Sequence, residues 1–157
     1  MSASSDAPSL PQSPSEPTAT AATSASPTLH FQQLSVPLPL SPHTTLHVQI
    51  TPLQTSTMVF LTTTDPSSSS SLSALGSFVY SMPNRLQPSE PLSTPLYAVP
   101  GSIDFATRVA KILARRTGLP AYVGCSAVFG SSVIEEEMAA VRAAVEGVMG
   151  VLGEGKR

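Results

Sequence analysis

The amino-acid sequence predicts an α+β fold, an antiparallel sheet with two helices on one face. Three observations predict it. Residues Thr45–Thr51 alternate, with Leu46, Val48 and Ile50 on one side and His47 and Gln49 on the other, the period of a half-buried strand. Phe105, Val109, Ile112 and Leu113 recur at i, i+4, i+7 and i+8, the stripe of an amphipathic helix. Several strand signals precede that helix, and one more separates it from a second helix.

Taken in order, residues 1–27 form a tail: 22 of the 27 are Ser, Ala, Pro or Thr. Such a segment has too little apolar surface to offset the entropy of ordering, so disorder is expected there. The folded domain is expected over 28–153, with a flexible C-terminus at 154–157. Thr28–Val36 reads as a strand confined to a sheet edge by Pro37, Pro39 and Pro42. Thr57–Thr63 is apolar on both faces, Met58 and Phe60 on one, Val59 and Leu61 on the other, which predicts a central strand covered on both sides. Asp65–Ser71 is a polar loop. Leu72–Met82 reads as a strand with Phe78 and Tyr80 on one face, and Gly76 marks a bulge or a close approach. Pro83–Pro95 reads as a loop and Leu96–Val99 as a short strand. The first helix has Ser102 as N-cap, Asp104 in its first turn, and Gly118 with Pro120 as its stop. Ala121–Ala127 is a strand. The last helix opens with Ser132–Val133–Ile134–Glu135, the pattern of a capping box, and three successive glutamates. Its expected stripe is Ile134, Met138, Val141, Val145, Val148 and Leu152, with Gly147, Gly150 and Gly153 weakening the final turns.

Composition narrows the function. The net charge of −2 argues against a general phosphate-binding surface. A single cysteine excludes an internal disulfide and a cysteine-based zinc site. The first 27 residues hold neither Lys nor Arg and no apolar core segment, so no secretory or mitochondrial presequence is expected. No apolar run reaches the roughly 18–20 residues that span a bilayer. The expectation is a reduced, intracellular protein, in the cytoplasm and also in the nucleus.

The residues give catalysis little support. Cys125 follows Tyr122–Val123–Gly124 within a strand and reads as a small buried residue rather than an activated thiol. Ser126 lacks the flanking glycines of a nucleophile elbow. His30, His43 and His47 have no carboxylate or cysteine near them in sequence to complete a metal site. Glu135–Glu137 is explained by the helix dipole. Gly153–Lys156 has no following helix and cannot act as a P-loop. No enzyme activity, cofactor or metal is expected. Arg108, Lys111, Arg115 and Arg116 form a basic face on the first helix, four of the chain's eight basic residues, suited to an acidic partner. No aromatic platform accompanies them, which argues against nucleic acid.

Two helices can cover one face of a sheet, yet the central strand is apolar on both. Another sheet packed against the open face, in a dimer, is the expected solution. The candidate partner contacts are therefore Met58, Val59, Phe60 and Leu61, and the sequence leaves open which pair faces the partner.

Four segments in order, Leu29–His30–Phe31, Ile112–Leu113–Ala114–Arg115–Arg116–Thr117, Ala121–Tyr122–Val123 and Ile134–Glu135–Glu136–Glu137–Met138, resemble the proteasome assembly chaperone 4 family. The low-complexity front end and the serine-rich loop point to a fungal member. The resemblance implies a non-enzymatic chaperone that forms a heterodimer with proteasome assembly chaperone 3, the pair a β-sandwich flanked by helices, and assists formation of the 20S core particle's α-ring, with α-type subunits as clients that would meet Arg108, Lys111 and Arg115. The segment Val128–Ser131 is shorter than the strand-containing hairpin this family pattern leads one to expect. The alternative function is a dimerising α+β adaptor or scaffold subunit of another complex.

Overall fold

The computed structural model describes residues 30–39, 41, 43–66, 74–127, 129 and 134–154. The 1–27 tail, Leu29, the core of the serine-rich loop, most of Val128–Ser131 and the Ser132 cap lie outside these residues. The elements run β1 (Gln32–Pro37), β2 (Thr45–Pro52), β3 (Thr57–Thr64), β4 (Ser77–Met82), β5 (Leu92–Tyr97), α1 (Ile103–Thr117), β6 (Ala121–Cys125) and α2 (Ile134–Glu154). Among the described residues six strands form one sheet in the order β1-β2-β3-β6-β4-β5.

The fold class is α+β as expected, but the sheet is mixed. Every neighbouring pair is antiparallel except β3 with β6, which is parallel. The connection explains the exception. A hairpin can only reverse the chain, whereas the 15-residue helix α1 carries it back across the sheet, so β6 runs in the same direction as β5. β6 then fills the gap between β3 and β4, and the backbone N–H of Thr57 donates to the carbonyl of Pro120 at the start of that parallel pair (2.9 Å).

Both helices lie on one face, α1 against β4 and β6, α2 against β2 and β1. The core between the layers holds Leu46, Val48, Ile50, Val59, Leu61, Val79, Val123 and Cys125 from the sheet, and Phe105, Val109, Leu113, Val141, Val145 and Val148 from the helices. Burying each large aliphatic or aromatic side chain stabilises the fold by roughly 1.5–3 kcal/mol. Ala106, Ala110 and Ala114 on α1, with Ala140 and Ala144 on α2, are also fully buried, so the helix backbones sit close to their neighbours. Gly147 serves the same end. A Cβ at that position would strike the Leu34 side chain of β1, so this residue is a packing contact in a helix that continues to Glu154.

Several local expectations change. β5 begins at Leu92, inside the segment read as a loop, and it accommodates Pro95 because it is an edge strand needing ladder bonds on one side only. Ser102 precedes α1 but its hydroxyl does not cap the helix. It accepts from the Ser77 N–H (3.2 Å) and lies 2.8 Å from the Ser77 hydroxyl, tying the start of α1 to β4. Gly118 terminates α1 in the left-handed conformation, its N–H donating to the Ala114 carbonyl (3.1 Å). Gly76 takes φ +67°, and a Cβ there would collide with the Cys125 carbonyl, the close approach read from the sequence. Finally, Ile134 (80% exposed) and Met138 (51%) leave the expected stripe of α2. The apolar buried face of that helix is Ala140, Val141, Ala144, Val145 and Val148, and in the first turn the buried residue is Glu136.

Candidate partner-binding face

The side of the sheet opposite the helices is built by strand alternation. Wherever β3, β4 and β6 send Val59, Leu61, Val79 and Val123 into the core, the residues between point the other way: Met58, Phe60, Phe78, Tyr80 and Tyr122. Register aligns these into rows across the strands. One row runs Tyr97, Phe78, Gly124, Phe60 and Gln49, and the next runs Thr94, Tyr80, Tyr122, Met58 and Thr51.

Gly124 shapes the first row. A Cβ there would strike the ring of Phe60. Without one, Phe60 and Phe78 stack over the glycine backbone with centroids 6.2 Å apart and planes within 4°. Phe78 continues to Tyr122 (6.3 Å), and Tyr122 to Tyr80 (4.9 Å, tilted 41°). Such ring contacts contribute about 0.5–1.5 kcal/mol each beyond their burial, so the four rings form a connected platform. All four are only half-buried. The platform extends over β5 through exposed Tyr97 and through Leu92, which pairs with Met82.

The face changes character toward β1 and β2, where Gln33, Ser35, His47, Gln49 and Thr51 replace the rings. His47 is held between the Ser35 hydroxyl at Nδ1 and the Thr64 hydroxyl at Nε2, both 2.8 Å away, so neither ring nitrogen is free to ligate a metal. A cavity of about 410 Å³ lies at the border, lined by Phe60, Leu75 and Gly124 on its apolar side and by His47, Gln49 and Thr62 on its polar side.

Of the four candidate partner contacts, Val59 and Leu61 belong elsewhere. They are fully buried beneath the helices, since Val59 is in register with Ile50 and Val123, and Leu61 with Val48 and Cys125, all core residues. Met58 and Phe60 are on the open face. Tyr122, Gly124 and Tyr97 join them there and were not singled out in the sequence. The alternation of Ala121, Val123 and Cys125 against Tyr122 and Gly124 was a signal for the first two. Tyr97 had no such signal, because a register irregularity between Phe78 and Val79 shifts β5 against β4.

The basic face of α1 divides in two. Arg108 turns toward α2, donating to the Glu137 carboxylate (2.9 Å) and reaching the Met138 sulfur (3.4 Å), so it is an internal ion pair rather than a free cation. Lys111 and Arg115 are exposed and line a cleft on the other flank of the helix, against residues 84–93. Cys125 is buried in the core, and burial pushes its thiol up from 9.0 to about 11, opposite to the depression a nucleophilic thiol needs. Among the described residues no three His, Cys, Asp or Glu side chains gather as a metal site. The described residues present an aromatic platform on one layer and a cationic cleft on the other.

Comparison with known proteins gives three findings. The model of the family described as proteasome assembly chaperone 4 matches residues 45–127, which is more than half of the chain. No curated protein sequence matches it. Among solved structures, a chain from the crystal structure of a chaperone complex for yeast 20S proteasome assembly is 21% identical, with a TM-score of 0.47 over 80% of this chain and 95% of that one.

Proposed function

The chain belongs to the proteasome assembly chaperone 4 family, and from that premise we propose that it is a non-catalytic chaperone that forms a heterodimer with a chaperone-3-like subunit and promotes formation of the 20S α-ring. The proposal includes α-type proteasome subunits as clients and the cytoplasm, together with the nucleus, as the place of action. The observation that carries it is the open aromatic face. Phe60, Phe78, Tyr80 and Tyr122 stack in one platform on a sheet whose other side is already closed by both helices. A second sheet packing about 10 Å away would bury these rings, leaving the polar β1–β2 half toward the rim. Burial of the rings drives such an association, while the tyrosine hydroxyls keep the face tolerable to water beforehand. Client contact falls to the cationic surface of α1, with Lys111 and Arg115 as the available charges and Arg108 supporting the α1–α2 contact.

The test is co-expression with a chaperone-3-like subunit, read by sedimentation. The wild-type chain is expected to enter a one-to-one complex. Phe60→Asp is expected to keep its circular dichroism spectrum yet leave the complex, because a carboxylate in a dry sheet interface would be unpaired. A wild-type chain that is a stable monomer indifferent to that subunit overturns the proposal.

A further inference from the structure

The cleft beside α1 is a second surface, on the other side of the molecule's chemistry from the aromatic platform. It has a volume of about 700 Å³ and runs between α1 and residues 84–93. Its charge is distinctive. α1 carries Asp104 against Arg108, Lys111, Arg115 and Arg116. Arg108 is neutralised by Glu137, but Lys111 and Arg115, one helical turn apart, form no ion pair among the described residues. The opposite bank supplies neutral hydrogen-bonding groups, the hydroxyls of Ser89 and Ser93 and the amide of Gln87. That bank is ordered by its own turn: the Asn84 side-chain carbonyl accepts from the N–H groups of Leu86 (3.0 Å) and Gln87 (3.3 Å), and the Glu90 N–H donates to the Gln87 carbonyl (2.9 Å). Ile112 and Leu92 add apolar contact. Glu90 is the one acid in the lining, and it leaves the cleft a net charge of +1 with the positive end on the helix.

We propose that this cleft docks an acidic segment of a partner protein, with carboxylates seated on Lys111 and Arg115 and an apolar side chain against Ile112. The charge complementarity selects the occupant. Two unpaired cations on a preformed wall favour carboxylates, Glu90 repels them from the opposite bank and so fixes the direction of approach, and the apolar contact gives a purely ionic chain less than a mixed one. This rests on the client half of the proposed function and names the chemistry the client would present. It does not depend on the ring platform of the sheet interface, Phe60, Phe78, Tyr80 and Tyr122, which is made of other residues; the edge residue Leu92 borders both surfaces.

The test is fluorescence anisotropy of the full chain with a labelled ten-residue peptide of alternating Glu and Leu, beside its Gln–Leu counterpart, at about 50 and 300 mM salt. The Glu peptide is expected to bind, to weaken several-fold at the higher salt, and to outbind the Gln peptide, since exposed charges are screened over roughly 10 Å or less. K111E/R115E is expected to lose at least tenfold in affinity and K111Q/R115Q less, while R142E, an exposed cation on α2, leaves binding unchanged. F60D is expected to bind the peptide as the wild type does, so a failed heterodimer and a failed cleft give different results. Equal binding of both peptides, salt-independent binding, or undiminished binding by K111E/R115E overturns the proposal.

Discussion

The two faces of the sheet share the same strands and the same twist, yet they are made of different residues for different purposes. The covered face is mainly Leu, Val, Ile, Ala and one Cys, compact and buried, with the small polar residues Thr57, Ser77 and Ser81 among them and partly buried Leu34 at the β1 edge. The open face over β3, β6 and β4 is Phe, Tyr and Met, flat or flexible, and half-buried. The aliphatics of the sheet mesh with the alanine-rich surfaces of α1 and α2 and leave room there for the ring of Phe105 from α1. Rings suit a face that must exist in water and then be covered, because stacking lets them shelter one another and tyrosine keeps a polar tip. The difference teaches that apolar residues on both sides of a strand need not mean two equivalent cores.

The sharpest break in this comparison is between Val59 and Phe60, adjacent in sequence and opposite in space. Val59→Asp buries a carboxylate with no partner beneath the helices, at a cost of several kcal/mol, a large part of the roughly 5–15 kcal/mol that holds a domain together. Little soluble protein is expected. Phe60→Asp leaves a charge that water can reach in the unpaired chain, with about 1 kcal/mol of ring stacking lost, so soluble yield should persist. Equal loss of soluble protein at both positions would erase the distinction between the faces.

Next in size is a pH effect confined to the covered face. Burial raises the Cys125 thiol from 9.0 to about 11, so the folded state holds this proton more tightly than the unfolded state does. The corresponding stability is complete below pH 9 and is lost as pH rises through 11, an effect on the order of 2–3 kcal/mol. Cys125→Ala should flatten the alkaline limb of a stability–pH curve measured by urea unfolding between pH 8 and 11. An unchanged alkaline limb would show that the thiol does not titrate there. Neutral-pH alkylation of native Cys125 should be slow for the same reason.

The smallest effect separates the two ends of α2. Ile134→Ala and Met138→Ala remove exposed side chains and should shift stability by no more than about 0.5 kcal/mol each. Val141→Ala removes two methyl groups from the core and should cost roughly 2 kcal/mol. Thermal midpoints of the three variants check the assignment, and a large drop for Ile134→Ala would place it against a neighbour.

Much of this was legible in the sequence because it depends on local periodicity. The alternation at Thr45–Thr51 and the amphipathic spacing of Phe105, Val109 and Leu113 each identify an element and its buried side without reference to the rest of the chain. The glycine stop at Gly118 is equally local, since it follows from a backbone conformation that a Cβ resists, whereas the close approach at Gly76 is to Cys125 on a distant strand. A strand's two faces are also distinct in the sequence, so Met58 and Phe60 separate from Val59 and Leu61 by counting alone.

Only the tertiary structure decided which of those faces the helices cover, because that depends on where α1 and α2 land after the chain has crossed the sheet. The same crossing inserted β6 between β3 and β4, made the sheet mixed, and brought Phe60, Phe78 and Tyr122 together around Gly124 from strands distant in sequence. It also divided one basic helix face, turning Arg108 to Glu137 of α2 and leaving Lys111 and Arg115 on the opposite flank. A helix's periodicity fixes which residues share a side, but the neighbour on that side is a long-range contact, and no local pattern in α1 specifies that Glu137 will be there.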